Sequence, residues 1–382
     1  MVFDFLQPVS SDVEEYISTL SNQTLGKKVV LHTQTDFPVL ENIALALITV
    51  NESRGAAKEN EDCNFDRFRK EFYSLYPGNW NVSLADLGTI EAGASIEDTY
   101  FVLKKLVEEL VKKKIIPIVI GGSQDLTYAM YRAYDNLDQM VNLVAVDNQF
   151  DFAKENAFPS NSYLSKIIIE EPTNLFNYAN LGYQTYYNSQ EEIDLIEKMY
   201  FEAYRLGEVA TNIAVAEPVF RDADLVSIDV TAVQSSFSGN FMQFNPNGFN
   251  GKEICSLTRY AGISDKVTSF GVFNFNVTSQ EAVLIAQMVW YFIEGFSFRS
   301  NEYPFGSKEK YIKYIVPIDD EELVFYKSHI SGRWWIEIPF LTNVNNKLKR
   351  VTLLPCTNED YLAACEQEIP ERWWKAQRRN IL

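Results

Sequence analysis

Histidine and cysteine are scarce in this sequence. The 382 residues include two histidines, His32 and His329, which stand far apart. The cysteines are scattered, without a C-x-x-C pair and without a histidine close by, at Cys63, Cys255, Cys356 and Cys365. This spacing excludes the usual zinc motifs and gives no sign of a disulfide framework.

A clustered basic surface is also missing. The formal net charge is −18, and no dense run of Lys and Arg occurs anywhere in the chain. Because a nucleic-acid ligand requires a basic surface that displaces counterions from phosphates, we expect no nucleic-acid partner.

Long apolar segments are absent as well. The most apolar stretch, Val283 to Phe298, is interrupted by Gln287 and Glu294 and is shorter than the roughly 18 residues that a membrane span needs. The first residues contain acids and lack a basic region followed by an apolar run, so they do not resemble an export signal. We therefore expect no membrane span and a cytoplasmic location.

The residues that are present predict an α/β fold with a mostly parallel sheet. Apolar residues make up 46% of the chain, enough for one large core and an appendage. Up to residue 299, short apolar runs alternate with segments of helical period, as in a sheet covered on both faces. The predicted strands are Ile43–Val50, Val82–Leu87, Ile115–Ile120, Leu143–Val146, Leu181–Tyr186, Leu225–Ile228 and Ser269–Phe275.

Sequence signals at helix starts support this alternation. A helix is predicted over Glu97–Lys113, where apolar residues recur at spacings of three and four. Capping boxes, in which a hydroxyl and a carboxylate satisfy the first free amides, are predicted at Ser95 with Asp98, Ser189 with Glu192, and Thr278 with Glu281.

The residue composition changes after Arg299, which predicts a domain over residues 1–299 and an aromatic-rich extension over residues 300–382 that packs on this domain. Tyr, Trp and β-branched residues dominate the extension, which indicates a small strand-rich unit that ends in a helix. The motif Arg-Trp-Trp occurs twice and supplies Trp334, Trp335, Trp373 and Trp374. These tryptophan side chains either pack the extension against the domain or form a surface that binds a partner.

Aspartates follow two of the predicted strands. Asp147 and Asp151 come after one strand and Asp229 after another. Ligands of parallel sheets bind at the carboxyl ends of the strands, so these side chains are predicted to share a crevice. The structural alternative is that each carboxylate caps a helix or bonds a loop amide.

Three strand-end motifs resemble those of the arginase, agmatinase and formimidoylglutamase (ureohydrolase) family. That family has G-G-D-H-S, D-A-H-x-D and S-x-D-x-D-x-x-D-P in this order. The corresponding segments here read GGSQD from Gly121, DNQFD from Asp147 and SIDVTAVQS from Ser227. IALALITVNESRGA from Ile43 is also similar to the first strand and Arg-Gly turn of the family. The resemblance implies an arginase-like three-layer α/β/α fold.

The resemblance also implies a site that has lost three of its six metal ligands. Family enzymes bind two Mn²⁺ through two His and four Asp, and the metal-bound hydroxide attacks a guanidinium or formimino carbon. Asp147, Asp151 and Asp229 are retained, whereas Gln124, Gln149 and Thr231 stand at positions of His, His and Asp. The family's catalytic His corresponds to Asn161 or Ser162, and a substrate-side Glu to Asn274. Further crevice residues expected from these motifs are Ser123, Asp125 and Asn148.

Three interpretations follow from these substitutions. Amide oxygens are poor ligands for manganese, which favours a pseudoenzyme that acts as a scaffold or partner-binding protein and has no metal cofactor. The alternative is a hydrolase of linear amidine C–N bonds that uses an altered site containing Mn²⁺ or Mg²⁺. The third is a metal-free crevice that binds a small cationic or amidine ligand.

Overall fold

A ten-stranded sheet forms the centre of the part of the chain that the structure describes. This structure is a computed structural model, and it describes residues 2–56, 65–137, 139–152, 158–241, 244–275, 279–302, 309–318, 321–338 and 353–381. The strands are β1 (Leu6–Gln7), β2 (Val30–Leu31), β3 (Leu45–Asn51), β4 (Leu84–Glu91), β5 (Ile116–Gly121), β6 (Val141–Val146), β7 (Leu175–Tyr183), β8 (Glu202–Arg205), β9 (Leu225–Asp229) and β10 (Ser269–Phe273).

The sheet is parallel except at one edge. Its order is β1-β4-β3-β5-β10-β9-β6-β7-β8, with β2 paired to β4, and only the pairing of β1 with β4 is antiparallel among these described strands. The carboxyl ends of β5, β6, β9 and β10 therefore lie side by side in the middle of the sheet. This arrangement brings the three sequence motifs to one place.

Helices cover both faces of the sheet. They are α1 (Ser11–Thr19), α2 (Phe65–Ser74), α3 (Ile96–Lys112), α4 (Leu126–Arg132), α5 (Tyr163–Ile169), α6 (Gln190–Lys198), α7 (Leu206–Thr211), α8 (Ala216–Arg221), α9 (Ser235–Ser238), α10 (Gly251–Ile263) and α11 (Ser279–Ser297). Alternate residues of β3 join opposite cores: Leu45 and Leu47 pack with α2 and α11, and Ala46 and Ile48 pack with α3 and α4. The predicted three-layer α/β/α fold is confirmed.

Two of the predicted capping boxes are present as hydrogen bonds. Ser95 accepts from the amide of Asp98 and Ser189 from that of Glu192, and each acid bonds back to the amide of its serine. Thr278, the third predicted cap, and Cys63 lie outside the described residues. The other cysteines carry free thiols. Within the described ranges, none of the helices combines the length and apolar character needed to cross a membrane.

The bounds of the predicted strands differ from the observed ones by several residues at most, and the largest difference is at β7. The segment Leu181–Tyr186 was predicted as a strand, but β7 begins at Leu175 and ends at Tyr183. The part of β7 before Leu181 contains Asn177 and Asn180, which interrupt the apolar pattern. Both are buried, and their Nδ2 groups have partners: Asn177 donates to Glu202 at 2.9 Å and Asn180 to the carbonyl of Gln149 at 2.8 Å.

A separate antiparallel sheet forms the C-terminal extension, as predicted. Its strands, in the order β11-β12-β13-β14, are Tyr311–Ile318, Glu321–Ser328, Trp334–Glu337 and Leu353–Cys356. They are followed by α12 (Asn358–Cys365) and α13 (Glu371–Ile381). Trp334 stacks on Tyr361 of α12, with ring centroids 4.8 Å apart, and Trp373 of α13 is buried beneath the same face.

Arginine side chains join the extension to the main sheet. Arg221 of α8 donates to the carbonyls of Trp334 and Cys356 at 2.9 and 3.0 Å. Glu202 of the edge strand β8 pairs with Arg372 at 2.6 Å and with Arg379 at 3.5 Å. Burial raises the pKa of Glu202, but these two guanidinium groups outweigh burial and lower it to about 2. The extension thus contacts an edge of the sheet through buried charge, while the boundary at residue 299 remains a prediction.

The four tryptophans occupy different environments. Trp334, Trp335 and Trp373 are buried, whereas Trp374 is 38% exposed. Trp335 lies against Arg221, and Trp374 makes an edge contact with Tyr200. Trp335 and Trp374 therefore contact the main domain, while Trp334 and Trp373 lie in the interior of the extension.

Candidate functional site

The crevice lies at the carboxyl ends of β6, β9 and β10 and has a volume of about 390 Å³. Three aspartates reach it from two strands: Asp147 directly follows β6, Asp151 lies four residues later, and Asp229 ends β9. All three are at least nine-tenths buried. The structure therefore brings together the carboxylates that the sequence placed at strand ends.

Amide groups hydrogen-bond both oxygens of Asp147. The side-chain Nε2 of Gln124 donates to Oδ2 at 2.6 Å, and the backbone N–H of Gln149 donates to Oδ1 at 2.9 Å. The Nε2 of Gln124 also donates to the hydroxyl of Tyr163 at 3.3 Å. The residue at the family position of the first His thus presents N–H groups, rather than a lone pair, to the carboxylate.

Asp229 is held in the same way. The backbone N–H of Thr231 donates to its Oδ1 at 2.6 Å, and the side-chain Nδ2 of Asn274 donates to its Oδ2 at 2.8 Å. Asn274 has a φ of 58°, a conformation that Asn tolerates better than most residues, and its Oδ1 accepts the backbone N–H of Gln124 at 3.2 Å. Asn274 therefore joins two of the three motifs.

Burial and mutual repulsion set the charge of the carboxyl groups. Burial raises the pKa of Asp147 well above its usual value, and the charge of Asp229 raises it further. Burial also raises the pKa of Asp151, with added repulsion from Asp147 and Asp229. Burial and this repulsion therefore oppose ionisation of Asp147 and Asp151, whereas the N–H groups of Gln149 and Gln124 favour the charged form of Asp147.

The remaining predicted residues divide between the crevice and its support. Gln149, Asn148, Thr231, Asn161 and Asn274 line the crevice. Ser123 and Asp125 do not line it.

Ser123 and Asp125 support the turn that follows β3. Ser123 donates to the carbonyl of Glu52 at 3.3 Å, and Asp125 accepts the hydroxyl of Tyr100. Burial raises the pKa of Asp125. The Arg54–Ala56 turn packs on this carboxyl so closely that a Cβ on Gly55 would overlap it. Ser162, the alternative to Asn161, turns away and donates to the carbonyl of Phe158 at 3.1 Å.

Sequence reasoning missed two sets of residues around the crevice. Tyr163 and Tyr178 lie buried behind Asp147, and burial raises the pKa of both phenols well above the usual value, so they remain neutral donors. Aromatic side chains also surround the mouth: Phe158, Tyr187 and Phe244 line it. The only signal for the second set was the presence of aromatic residues in loops that follow predicted strands.

The second glycine of the first motif fixes the loop backbone at the crevice. A Cβ on Gly122 would overlap the backbone carbonyl of Glu52, and the Gly122 carbonyl accepts the N–H of Asn274 at 2.7 Å. We expect Gly122→Ala to lower the free energy of unfolding by about 1–3 kcal/mol, because a backbone clash cannot relax through a flexible side chain. Chemical denaturation measures this change.

Gly207→Ala is the matched control for Gly122→Ala. Gly207 lies in α7, and a Cβ there would meet nothing within 4 Å. Ala is the better helix former by roughly 0.5–1 kcal/mol, so the control should leave stability equal or slightly higher. Equal losses for both variants would show that Gly122 has no special packing role.

No group of three or more His, Cys, Asp or Glu side chains within the described ranges has an arrangement that could hold a metal ion. The three aspartates cluster, but their surroundings consist of amides, hydroxyls and aromatic rings. The oxygens of Asp147 and Asp229 accept N–H groups. The geometry thus provides a polar, acidic crevice in which two of the three carboxyl groups are hydrogen-bonded to side-chain and backbone amides.

Comparison with known sequences identifies the family. Residues 64–293 match the model of the arginase family. A formimidoylglutamase of Geobacillus sp. (strain WCH70) is 24% identical over 206 residues, which are 50% of this chain and 62% of that protein. An uncharacterised 32.2 kDa protein of Methanothermus fervidus is 35% identical over 89 residues, 23% of this chain and 30% of that protein. The chain thus spans less than two thirds of either relative.

Solved structures share the fold. Formiminoglutamase of Trypanosoma cruzi, determined with Mn²⁺, superposes with a TM-score of 0.59 at 18% identity and covers 69% of this chain and 100% of that one. Formimidoylglutamase of Bacillus subtilis superposes with a TM-score of 0.61 at 15% identity and covers 71% of this chain and 91% of that one. Agmatine ureohydrolase of Thermoplasma volcanium superposes with a TM-score of 0.57 at 17% identity and covers 74% of this chain and 97% of that one. Given its fold, its motif order and the family match over residues 64–293, this chain belongs to the arginase family.

Proposed function

We propose that this chain is a non-hydrolytic member of the arginase family whose crevice serves binding rather than catalysis. The strongest support for this proposal is that two side-chain amides donate hydrogen bonds to Asp147 and Asp229. Gln124 and Asn274 place N–H groups 2.6 and 2.8 Å from these carboxylates. Each amide thereby stabilises a carboxylate that a metal ion would otherwise have to neutralise.

The donor set does not fit two Mn²⁺ ions. Gln124 and Gln149 replace imidazoles, Thr231 replaces a carboxylate, and neutral amide and hydroxyl oxygens bind such ions more weakly. Without a tightly held metal there is no group in the crevice to lower the pKa of water and supply a hydroxide. Nor does a histidine of this chain stand among the described residues that line the crevice.

Metal retention and turnover test this proposal together. After incubation of the full-length protein with excess Mn²⁺ and removal of free metal, we expect well under one Mn per chain by elemental analysis. We also expect no release of formamide from formiminoglutamate, and no release of urea from arginine or agmatine, above the protein-free rate. Asp147→Asn is the control, because it removes a family ligand position while preserving shape. Bound metal and turnover that both disappear in Asp147→Asn would establish the alternative, an amidine hydrolase.

A further inference from the structure

The first strand of the C-terminal extension, β11, is an edge of its sheet. Within the described ranges β11 pairs only with β12, and it carries Ile312 and Ile315, which are 38 and 53% exposed. The opposite edge strand, β14, contacts the main domain, where the carbonyl of Cys356 accepts the guanidinium group of Arg221 at 3.0 Å. An uncovered edge strand of eight residues presents backbone groups to which another strand can bind.

The register of β11 with β12 determines which backbone groups point outward. The N–H of His329 donates to the carbonyl of Lys310 at 3.1 Å, and the strands continue from this pair in antiparallel register. In such a pair, alternate residues direct their N–H and carbonyl groups toward the neighbouring strand and away from it. Lys310 and every second residue after it therefore face β12. The residues that face away from it are Tyr311, Lys313, Ile315 and Pro317.

Most of these outward groups are open among the residues that the structure describes. The carbonyl of Pro317 accepts Nε2 of Gln367 at 3.1 Å, as its outward direction allows. No described residue hydrogen-bonds the backbone N–H or carbonyl groups of Lys313 and Ile315. Pro317 has no N–H to donate, which limits the strands that this edge can bind. The open edge therefore offers alternating donors and acceptors that end at a proline.

The outward residues fit a second copy of the same strand in one antiparallel register. With Lys313 opposite Ile315 of the second copy, both pairs related by the two-fold axis can exchange both N–H···O bonds. Tyr314 then lies opposite its own copy on the axis. A shift that places Lys313 opposite itself brings like charges together, and a shift that places it opposite Pro317 loses a donor. Lysine and proline thus select one register rather than leave the edge open to many.

The charges of the hairpin favour the same arrangement. Lys310 and Lys313 lie toward one end of β11, whereas Glu321 and Glu322 begin β12 at the other end, and all four side chains are exposed. In the register above, Lys310 lies opposite Ile318 of the second copy, which itself pairs with Glu321 of that copy. The lysine and the glutamate then share one row and one face. Since the chain carries a formal charge of −18, an edge where lysines meet acids favours the approach of two copies.

We propose that two copies of this chain associate through β11, which pairs antiparallel with itself and joins two four-stranded sheets into one continuous sheet. The two edges complement each other in backbone hydrogen bonds and in charge, and the pairing covers Ile312 and Ile315. One pair of strands buries little area, so the dimer is weak and depends on concentration. The inference goes beyond the proposed function and does not depend on it, because β11 contributes no residue to the described lining of the crevice.

Removal of one outward N–H tests the pairing. Ile315→Pro deletes a donor that points away from β12, so each chain keeps its own hydrogen bonds, and Ile315→Val is the matched control that keeps the N–H. Sedimentation velocity of the full-length protein from about 1 to about 500 µM measures association. We expect the natural chain and Ile315→Val to form the dimer, and Ile315→Pro to require at least tenfold higher concentrations, because main-chain bonds provide the affinity.

Two outcomes of this experiment would overturn the proposal. One is a natural chain that sediments as a monomer at every concentration, which would leave the edge to a different partner. The other is association that is equal in Ile315→Pro and Ile315→Val, which would place the contact between copies elsewhere on the chain.

A charge exchange tests the register and does not depend on how well a single variant folds. One variant carries Lys310→Glu and Lys313→Glu, and the other carries Glu321→Lys and Glu322→Lys. Each alone places like charges in one row and should associate at least tenfold more weakly than the natural chain. An equal mixture should form a heterodimer at the concentrations at which the natural chain dimerises, because acids of one variant then face lysines of the other. A mixture that associates no better than its components would contradict the two-fold antiparallel pairing.

Discussion

The triple variant Gln124→His, Gln149→His and Thr231→Asp is expected to bind Mn²⁺ at least tenfold more tightly than the natural chain. The substitutions return two imidazoles and a carboxylate to the positions that the family motifs assign to ligands, beside Asp147, Asp151 and Asp229. Imidazole and carboxylate are better donors to this ion than amide and hydroxyl groups. Removing Gln124 also releases Oδ2 of Asp147 from its amide donor.

Isothermal titration of the two proteins with Mn²⁺ measures the difference. The control is Gln190→His, which adds a histidine to an exposed position on α6, where Gln190 bonds Asp194 at 2.8 Å and does not line the crevice. That variant should bind no more metal than the natural chain. If the triple variant gains nothing while remaining folded, the substituted ligands are not what prevents metal binding.

Glu202→Ala is expected to cause the largest loss of stability, about 3–5 kcal/mol in the free energy of unfolding. Glu202 is 1% exposed and pairs with Arg372 and Arg379, so its removal leaves two buried guanidinium groups of the extension without their carboxylate. It also removes the acceptor of Asn177 Nδ2 in β7. Urea denaturation of the full-length chain measures the loss.

Glu371→Ala provides the comparison for Glu202→Ala. Glu371 bonds Lys375 at 2.6 Å, but its side chain is 76% exposed, and such pairs contribute little. Its loss should change stability by less than about 0.5 kcal/mol. Similar effects of the two substitutions would show that the buried charge cluster does not hold the extension to the sheet edge.

The pH dependence of Glu202→Ala gives a second readout. The pKa of Glu202 is about 2 in the folded chain, below the usual 4.5, so its stabilisation is fully present above pH 4.5 and declines as the pH falls toward 2. The difference in unfolding free energy between the natural chain and Glu202→Ala should therefore shrink between pH 4.5 and pH 3. A difference that stays constant over this interval would contradict the ionised state of Glu202.

The central strands could be predicted because each is a short, continuous apolar run between polar segments. The short edge strands β1, β2 and β8 could not, since they have two to four residues and polar or exposed positions. The prediction for β7 failed at Asn177 and Asn180 because buried amides in a strand look like a loop in the sequence. Their partners, Glu202 and the Gln149 carbonyl, become visible only in the folded chain.

The aspartates of the crevice could be predicted from strand order, because parallel strands place their carboxyl ends together. The hydrogen-bond partners of these aspartates could not be predicted from the sequence. Gln124 and Asp147 are 23 residues apart, and Asn274 and Asp229 are 45 apart, so the bonds between them depend on how β5, β6, β9 and β10 pair. The role of Tyr163 as an acceptor for Gln124 also depends on that packing.

The proposed function requires that amide N–H groups, rather than metal ions, stabilise the carboxylates of the crevice. Anomalous diffraction at the manganese edge, from crystals of the full-length protein grown with Mn²⁺, measures this directly. We expect no anomalous peak between Asp147 and Asp229, with Gln124 Nε2 and Asn274 Nδ2 in hydrogen-bond contact with them. Two strong peaks joined by a solvent oxygen and bound to Asp147, Asp151 and Asp229 would contradict the account.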